Sequence, residues 1–272
     1  MNLNYKLIIS FLIFLTFSLF SKETLKISTN GLRLRSLPSS NSDIIAKLNK
    51  KSKLVFIERS GVVEKIDGFV SEWIKIEVAQ ENSKTSGYIF GGYVYDSNNK
   101  RKFIKCIESE KGLNIFFENG NSIYLKNVDS DDYDTHISYS DCKYFKELNA
   151  LVVSGSLYEG EFFKIYNMKN GENYNIWGEP IFSFQNKYFA SISADIEANY
   201  NPNGLQIFKA EFPLKKEFEY SIDVSNDADN FQPIKVKWIS EIRLELLAEN
   251  NKSKTKKYIF EKINSNWKLN SK

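Results

Sequence analysis

The chain has 272 residues, with 37 Lys and Arg against 34 Asp and Glu, a formal net charge of +3 and 15% aromatic residues. Its basic and acidic residues are interspersed, so it lacks the concentrated positive face that nucleic-acid binding uses. With one histidine and two cysteines, C-x2-C and H-x3-H zinc spacings are excluded, and the sequence predicts no metal and no cofactor.

At the N-terminus, Lys6 is followed by the apolar run LIISFLIFLTFSLF (Leu7 to Phe20), with no further charge until Lys22. A charged start and an apolar run too short for a bilayer span read as a secretory signal peptide over residues 1–21. Ser18 and Ser21 are small residues at which cleavage can occur, and the competing reading is an uncleaved N-terminal anchor. Removal would leave 36 basic and 34 acidic residues and no transmembrane helix. The protein is therefore expected outside the cytoplasm, periplasmic or secreted, in association with the cell wall or free of it.

From Thr24 onward, runs of five to eight residues rich in Ile, Val, Phe and Tyr recur between turns of Asn, Gly, Asp, Ser or Lys. This is an all-β pattern without sustained helical periodicity. The polar segment DSNNKRK (Asp96 to Lys102) separates two aromatic-rich regions, predicting one domain over 22–98 and another over 99–272.

The first region opens with a strand ending in Arg35-Ser36, with Pro38 close behind. Ile44 to Leu48 then leads into the basic turn NKKSK, SEWIKIE carries Trp73, and SGYIFGGYV (Ser86 to Val94) closes the region with Gly87, Gly91 and Gly92. In that order these elements resemble the bacterial SH3 (SH3b) domain, a small five-stranded barrel of exported and wall-associated proteins. Alternation supports it: Ile74, Ile76 and Val78 share one face, directed inward, while Trp73, Lys75 and Glu77 share the other, with Trp73 near the rim. The glycines read as barrel closure, Gly87 admitting a close crossing of the first strand. The resemblance implies binding of peptidoglycan or an extended envelope peptide, with Trp73, Tyr88, Phe90 and Tyr93 as candidates for a groove, although each ring can equally serve the core. Two departures, GVVEKIDGFVS and AQENSKTS, lengthen the loop before Trp73 and the next hairpin, and so alter the ligand face.

Cys106 and Cys142 fall in the second region, where an oxidising compartment favours a disulfide over two buried thiols. Three stretches, Tyr144 to Ile176, Asn186 to Ile222 and Lys235 to Leu269, can be laid over one another at a period of about 40 residues. With the more divergent 103–143 segment they read as an antiparallel β-meander domain, propeller-like or a stack of sheets. Tyr200 to Ile207, YNPNG-x-Q-I, resembles a segment of exported propeller-like bacterial regions, which implies no activity.

Catalytic chemistry is absent from this reading. His136 precedes Cys142 by six residues, but the cysteine is better used in the disulfide, and no third orienting group is evident. The acidic loop Asp129, Asp131, Asp132 and Asp134 lacks the glycine of an EF-hand turn and reads as solvated. In ADIEANYNPNG, Asp195, Glu197, Asn199 and Asn201 alternate and would share one strand face, either a polar face for glycan hydroxyls or an ion, or a solvated hairpin edge. The sequence thus predicts a non-enzymatic exported binding protein whose partner is peptidoglycan or an envelope protein, with an envelope enzyme or enzyme inhibitor as the alternative.

Overall fold

The computed structural model describes residues 23–80, 83–131, 135–194, 202–222 and 230–271. Within them the regular structure is β throughout, apart from a short 3-10 turn at Gly91–Tyr93.

Seven strands make the N-terminal unit: β1 (Thr24–Ile27), β2 (Leu32–Arg35), β3 (Ile44–Leu48), β4 (Leu54–Ile66), β5 (Phe69–Gln80), β6 (Ser83–Phe90) and β7 (Val94–Tyr95). They pair antiparallel in the order β3-β2-β6-β5-β4-β1-β7. As the alternation in EWIKIEV predicts, Ile74, Ile76 and Val78 point into one core with Leu34, Leu54 and Ile89. Close strand crossings depend on missing side chains. A Cβ on Gly87 would lie 2.7 Å from the Arg35 carbonyl where β6 crosses β2, and one on Gly91 would lie 2.6 Å from the Glu72 carbonyl.

The remaining strands form antiparallel meanders. β8 (Ile104–Ser109), β9 (Gly112–Phe116) and β10 (Ser122–Lys126) extend the first sheet. Three four-stranded sheets follow in chain order: β11 (Ile137–Phe145) to β14 (Asn173–Ile176), β15 (Ile181–Phe182) to β18 (Lys215–Ser221), and β19 (Gln232–Ser240) to β22 (Asn266–Ser271). Each expected repeat supplies strands of one of these three sheets.

Burial on both faces stacks them. On β12 (Ala150–Leu157), Leu151 and Val153 join Val70, Leu113 and Ile115 of the first sheet, whereas Ala150 and Val152 face Phe189 and Phe208 of the third. In the third sheet, Ala190, Leu205 and Ile207 face Trp238, Leu244 and Phe260 of the fourth. Ordinary alternation along Gly204–Lys209 puts Leu205 and Ile207 in one layer and Phe208 in the opposite one. In the fourth sheet exposed Lys235 and Lys237 alternate with buried Val236 and Trp238. Cys106 on β8 and Cys142 on β11 form a buried disulfide, Cα atoms 6.8 Å apart, that ties the first two sheets.

One strand serves both regions. GVVEKIDGFVS is not a loop: it extends β4 and β5 into a long hairpin, turned by Asp67 and Gly68 at φ of 51° and 77°. Two successive left-handed residues suit a two-residue hairpin turn, which explains the Asp-Gly pair. Beyond the N-terminal core, Phe69 to Ser71 of β5 pair with β8, while Trp73 to Gln80 pair with β6. The sheet thus runs from one region into the next without a break. The polar segment after β7 is pinned rather than free. Asp96 is only 1% exposed, and its Oδ1 accepts 2.8 Å hydrogen bonds from the Asn98 and Lys100 backbone N–H groups.

Candidate functional site

On the outer face of the N-terminal unit, opposite its aliphatic core, β5 and β6 bring Trp73 and Phe90 side by side as a cross-strand pair. The rings meet edge to face at 5.7 Å, and Phe90 meets Tyr93 in the same way at 6.0 Å. These three side chains line one cleft of about 450 Å³. Its walls are the turn from Thr29 to Leu32, the Arg33 and Arg35 positions of β2, Ser40, and the tip of the β4–β5 hairpin at Ile66 and Asp67.

Trp73 does not stand at an exposed rim. It is 2% exposed, covered where the hairpin outgrows the core, and its indole Nε1 is buried with no hydrogen-bond partner among the described residues. Phe90 is 3% exposed, so both rings are floor. Tyr93 is half-buried, and its hydroxyl donates to Asp67 Oδ2. Burial, then the hydrogen bond to that carboxylate and its charge, push the Tyr93 phenol up to about 12, so it stays protonated and bridges floor to hairpin tip. Tyr88 lies outside the cleft, farther along β6 and opposite Lys75, whose Nζ sits 5.8 Å from its ring centroid. Three of the four expected rings are therefore gathered and the fourth is not.

The polar side of the cleft comes from residues that sequence reasoning did not assign. Arg35 is buried and donates to the Ser42 carbonyl, holding the loop after β2. Arg33, two residues earlier on the same strand, is exposed, as is Asp67. The alternation LRLR is the signal that could have marked the two arginines, since Leu32 and Leu34 alternate with them and point into the core. The arrangement can stack or bury an apolar group on its aromatic floor and meet opposite charges at Arg33 and Asp67.

Residues 30–95 match the family described as bacterial SH3 domain. The match covers β2 through β7, so the cleft lies almost wholly within this SH3 domain. Such a domain is typically a binding module for cell-wall components. Together with the disulfide it points to an extracytoplasmic location. No helix among the described residues is long and apolar enough to cross a membrane. A search of curated proteins returns no match to the chain.

Elsewhere, His136 Nδ1 lies 3.9 Å from Asp129 Oδ1, and its ring stands edge-on to Tyr158 at 6.2 Å. Among the described residues no group of three or more His, Cys, Asp or Glu gathers as a metal cluster. Asp195, Glu197, Asn199 and Asn201, the alternating polar face expected from the sequence, lie outside the described residues, as do Asp132, Asp134 and the signal segment.

Proposed function

We propose that this is a non-enzymatic exported binding protein of two units, an SH3 domain that docks on peptidoglycan or an envelope protein and a stacked-sheet unit carried with it. The observation that carries the reading is the cleft: a family-matched domain presents Trp73, Phe90 and Tyr93 as its floor, with Arg33 and Asp67 beside them. An aromatic floor with one cation and one anion suits an extended peptide or a glycan-linked peptide, whose apolar groups pack while free carboxylates and amines pair at the edge. The apolar run after Lys6 supports export, and the buried disulfide supports maturation in an oxidising compartment.

Co-sedimentation of the chain from residue 22 onward with purified cell-wall sacculi tests this. The wild-type chain should pellet with the sacculi, and Arg33→Ala should weaken its retention about tenfold, the loss of one charge-assisted hydrogen bond. A wild-type chain that stays in the supernatant removes wall docking and leaves an envelope protein as the partner to be sought by cross-linking.

A further inference from the structure

A second cleft, of about 740 Å³, opens where the SH3 domain meets the first stacked sheet. Five cations line it, Arg59, Lys100, Arg101, Lys102 and Lys105, against a single lining carboxylate, Glu118. Several of these charges are already engaged. Arg59 is 2.7 Å from Glu72, Lys102 bridges Glu23 at 2.8 Å and Asp96 at 3.1 Å, and Arg101 donates to the Tyr95 hydroxyl while stacking on that ring at 4.8 Å.

Lys105 is different, and backbone register explains why. Val70 pairs with Cys106 but Ser71 pairs with Ile104, so Lys105 is the extra residue of a β-bulge. Bulges re-aim the side chain they carry. Here the residue is only 8% exposed, with Nζ 4.2 Å from the Tyr144 ring centroid, and among the described residues its side chain makes no hydrogen bond or ion pair. Glu118 accepts a hydrogen bond from Asn149 Nδ2 at 3.2 Å instead. The ammonium thus has an aromatic face and the charges of Glu118 and Glu72 around it but no direct ion pair, and taking a charge out of water is costly until it is paired.

The apolar part of the cleft supplies the rest of the recognition, because the partly exposed Phe116 and its neighbour Phe117 line it. Its volume lies in the range of small-molecule sites. We propose that this junction cleft binds an organic anion, its carboxylate or phosphate group set against Lys105 Nζ and its apolar body against Phe116 and Phe117. Burial lowers the Lys105 pKa, against the charges of Glu118 and Glu72 and in concert with Arg59, so an entering anion would raise it again. Those groups and Tyr144 are the titratable and charged neighbours facing it, and anion affinity falls as pH rises through the Lys105 pKa.

The test uses the chain from residue 22 onward with its lysines carrying 13C-methyl labels, titrated with phenylacetate, phenyl phosphate and neutral 2-phenylethanol. Lys105 is assigned by the resonance lost in Lys105→Met. At least one anion should bind tenfold or more tightly than the neutral compound and shift the Lys105 titration upward, and Lys105→Met should abolish that preference. Tighter binding of phenylacetate identifies a carboxylate ligand, and tighter binding of phenyl phosphate a phosphate ester. Equal binding of the neutral compound overturns the proposal without reliance on the variant's folding, and so does anion binding that moves no lysine resonance of the wild-type chain.

Discussion

The SH3 domain and the stacked sheets solve the same problem, burying one apolar face per strand, in two different ways. The SH3 domain wraps its strands around a single interior, so Ile74 and Ile76 point in while Trp73 and Lys75 point out. The stack instead buries both faces of its middle sheets, so neighbouring residues such as Leu151 and Val152 belong to different layers. A single interior leaves an outer face on which a cleft can form, whereas a double-faced sheet presents its edges and turns. Function is accordingly sought on the outer face of one and at the junction of the two, where β5 passes from one sheet partner to the other.

The strongest way to break this comparison is to empty a layer of the stack. Phe189 is fully buried and stacks on Phe208 at 5.0 Å, so Phe189→Ala should cost about 3–5 kcal/mol in urea unfolding. If β5 couples the regions, the SH3 signal should shift with the rest, and two separate transitions would show that the regions unfold independently. Next is the covalent tie between the first two sheets. Replacing Cys106 and Cys142 together by Ser frees a loop of 36-residue separation and should cost about 4 kcal/mol on the chain-entropy estimate, read as a lower urea midpoint than the oxidised wild type.

A smaller effect is expected at the link. Burial pushes the Asp96 carboxyl up, but hydrogen bonds from the Lys100 N–H, Lys102 and the Asn98 N–H overcome it and hold the group below the usual carboxylate range. With the folded pKa depressed, its stabilising contribution is present above the unfolded pKa and lost as pH falls through the folded one. Asp96→Ala should cost about 1–3 kcal/mol at neutral pH by removing the charged acceptor of the Asn98 and Lys100 N–H groups and the partner of Lys102, and thermal unfolding should show the difference from wild type shrinking below about pH 4. The smallest effect should come from the exposed Lys143–Glu179 pair at 2.5 Å, where Lys143→Ala should change stability by less than about 1 kcal/mol.

Much of the SH3 domain was legible because its signals are local: a period-two alternation in EWIKIEV, glycines where strands cross, and motif elements in fixed order. The stack was legible as strands and as three repeats, since those also depend on nearby residues. What escaped were consequences of pairing between distant segments. GVVEKIDGFVS reads as a loop insertion until β8 is seen to pair with its returning strand, and DSNNKRK reads as a free linker until Asp96 is seen buried under its own turn. Trp73 could be placed on the outer face but not at the floor of a cleft, because the cover comes from Phe90 and the hairpin tip. Lys105 gave no sign at all, since the bulge that turns it inward is a property of register between β5 and β8.

The most direct test of the central claim, that the SH3 cleft is the docking surface, is hydrogen–deuterium exchange of the chain from residue 22 onward with and without soluble peptidoglycan fragments. The account predicts added protection in the Thr29 to Arg35 and Ile66 to Asp67 segments, the backbone around the cleft. Protection confined to the stacked sheets, with those two segments unchanged, would contradict it.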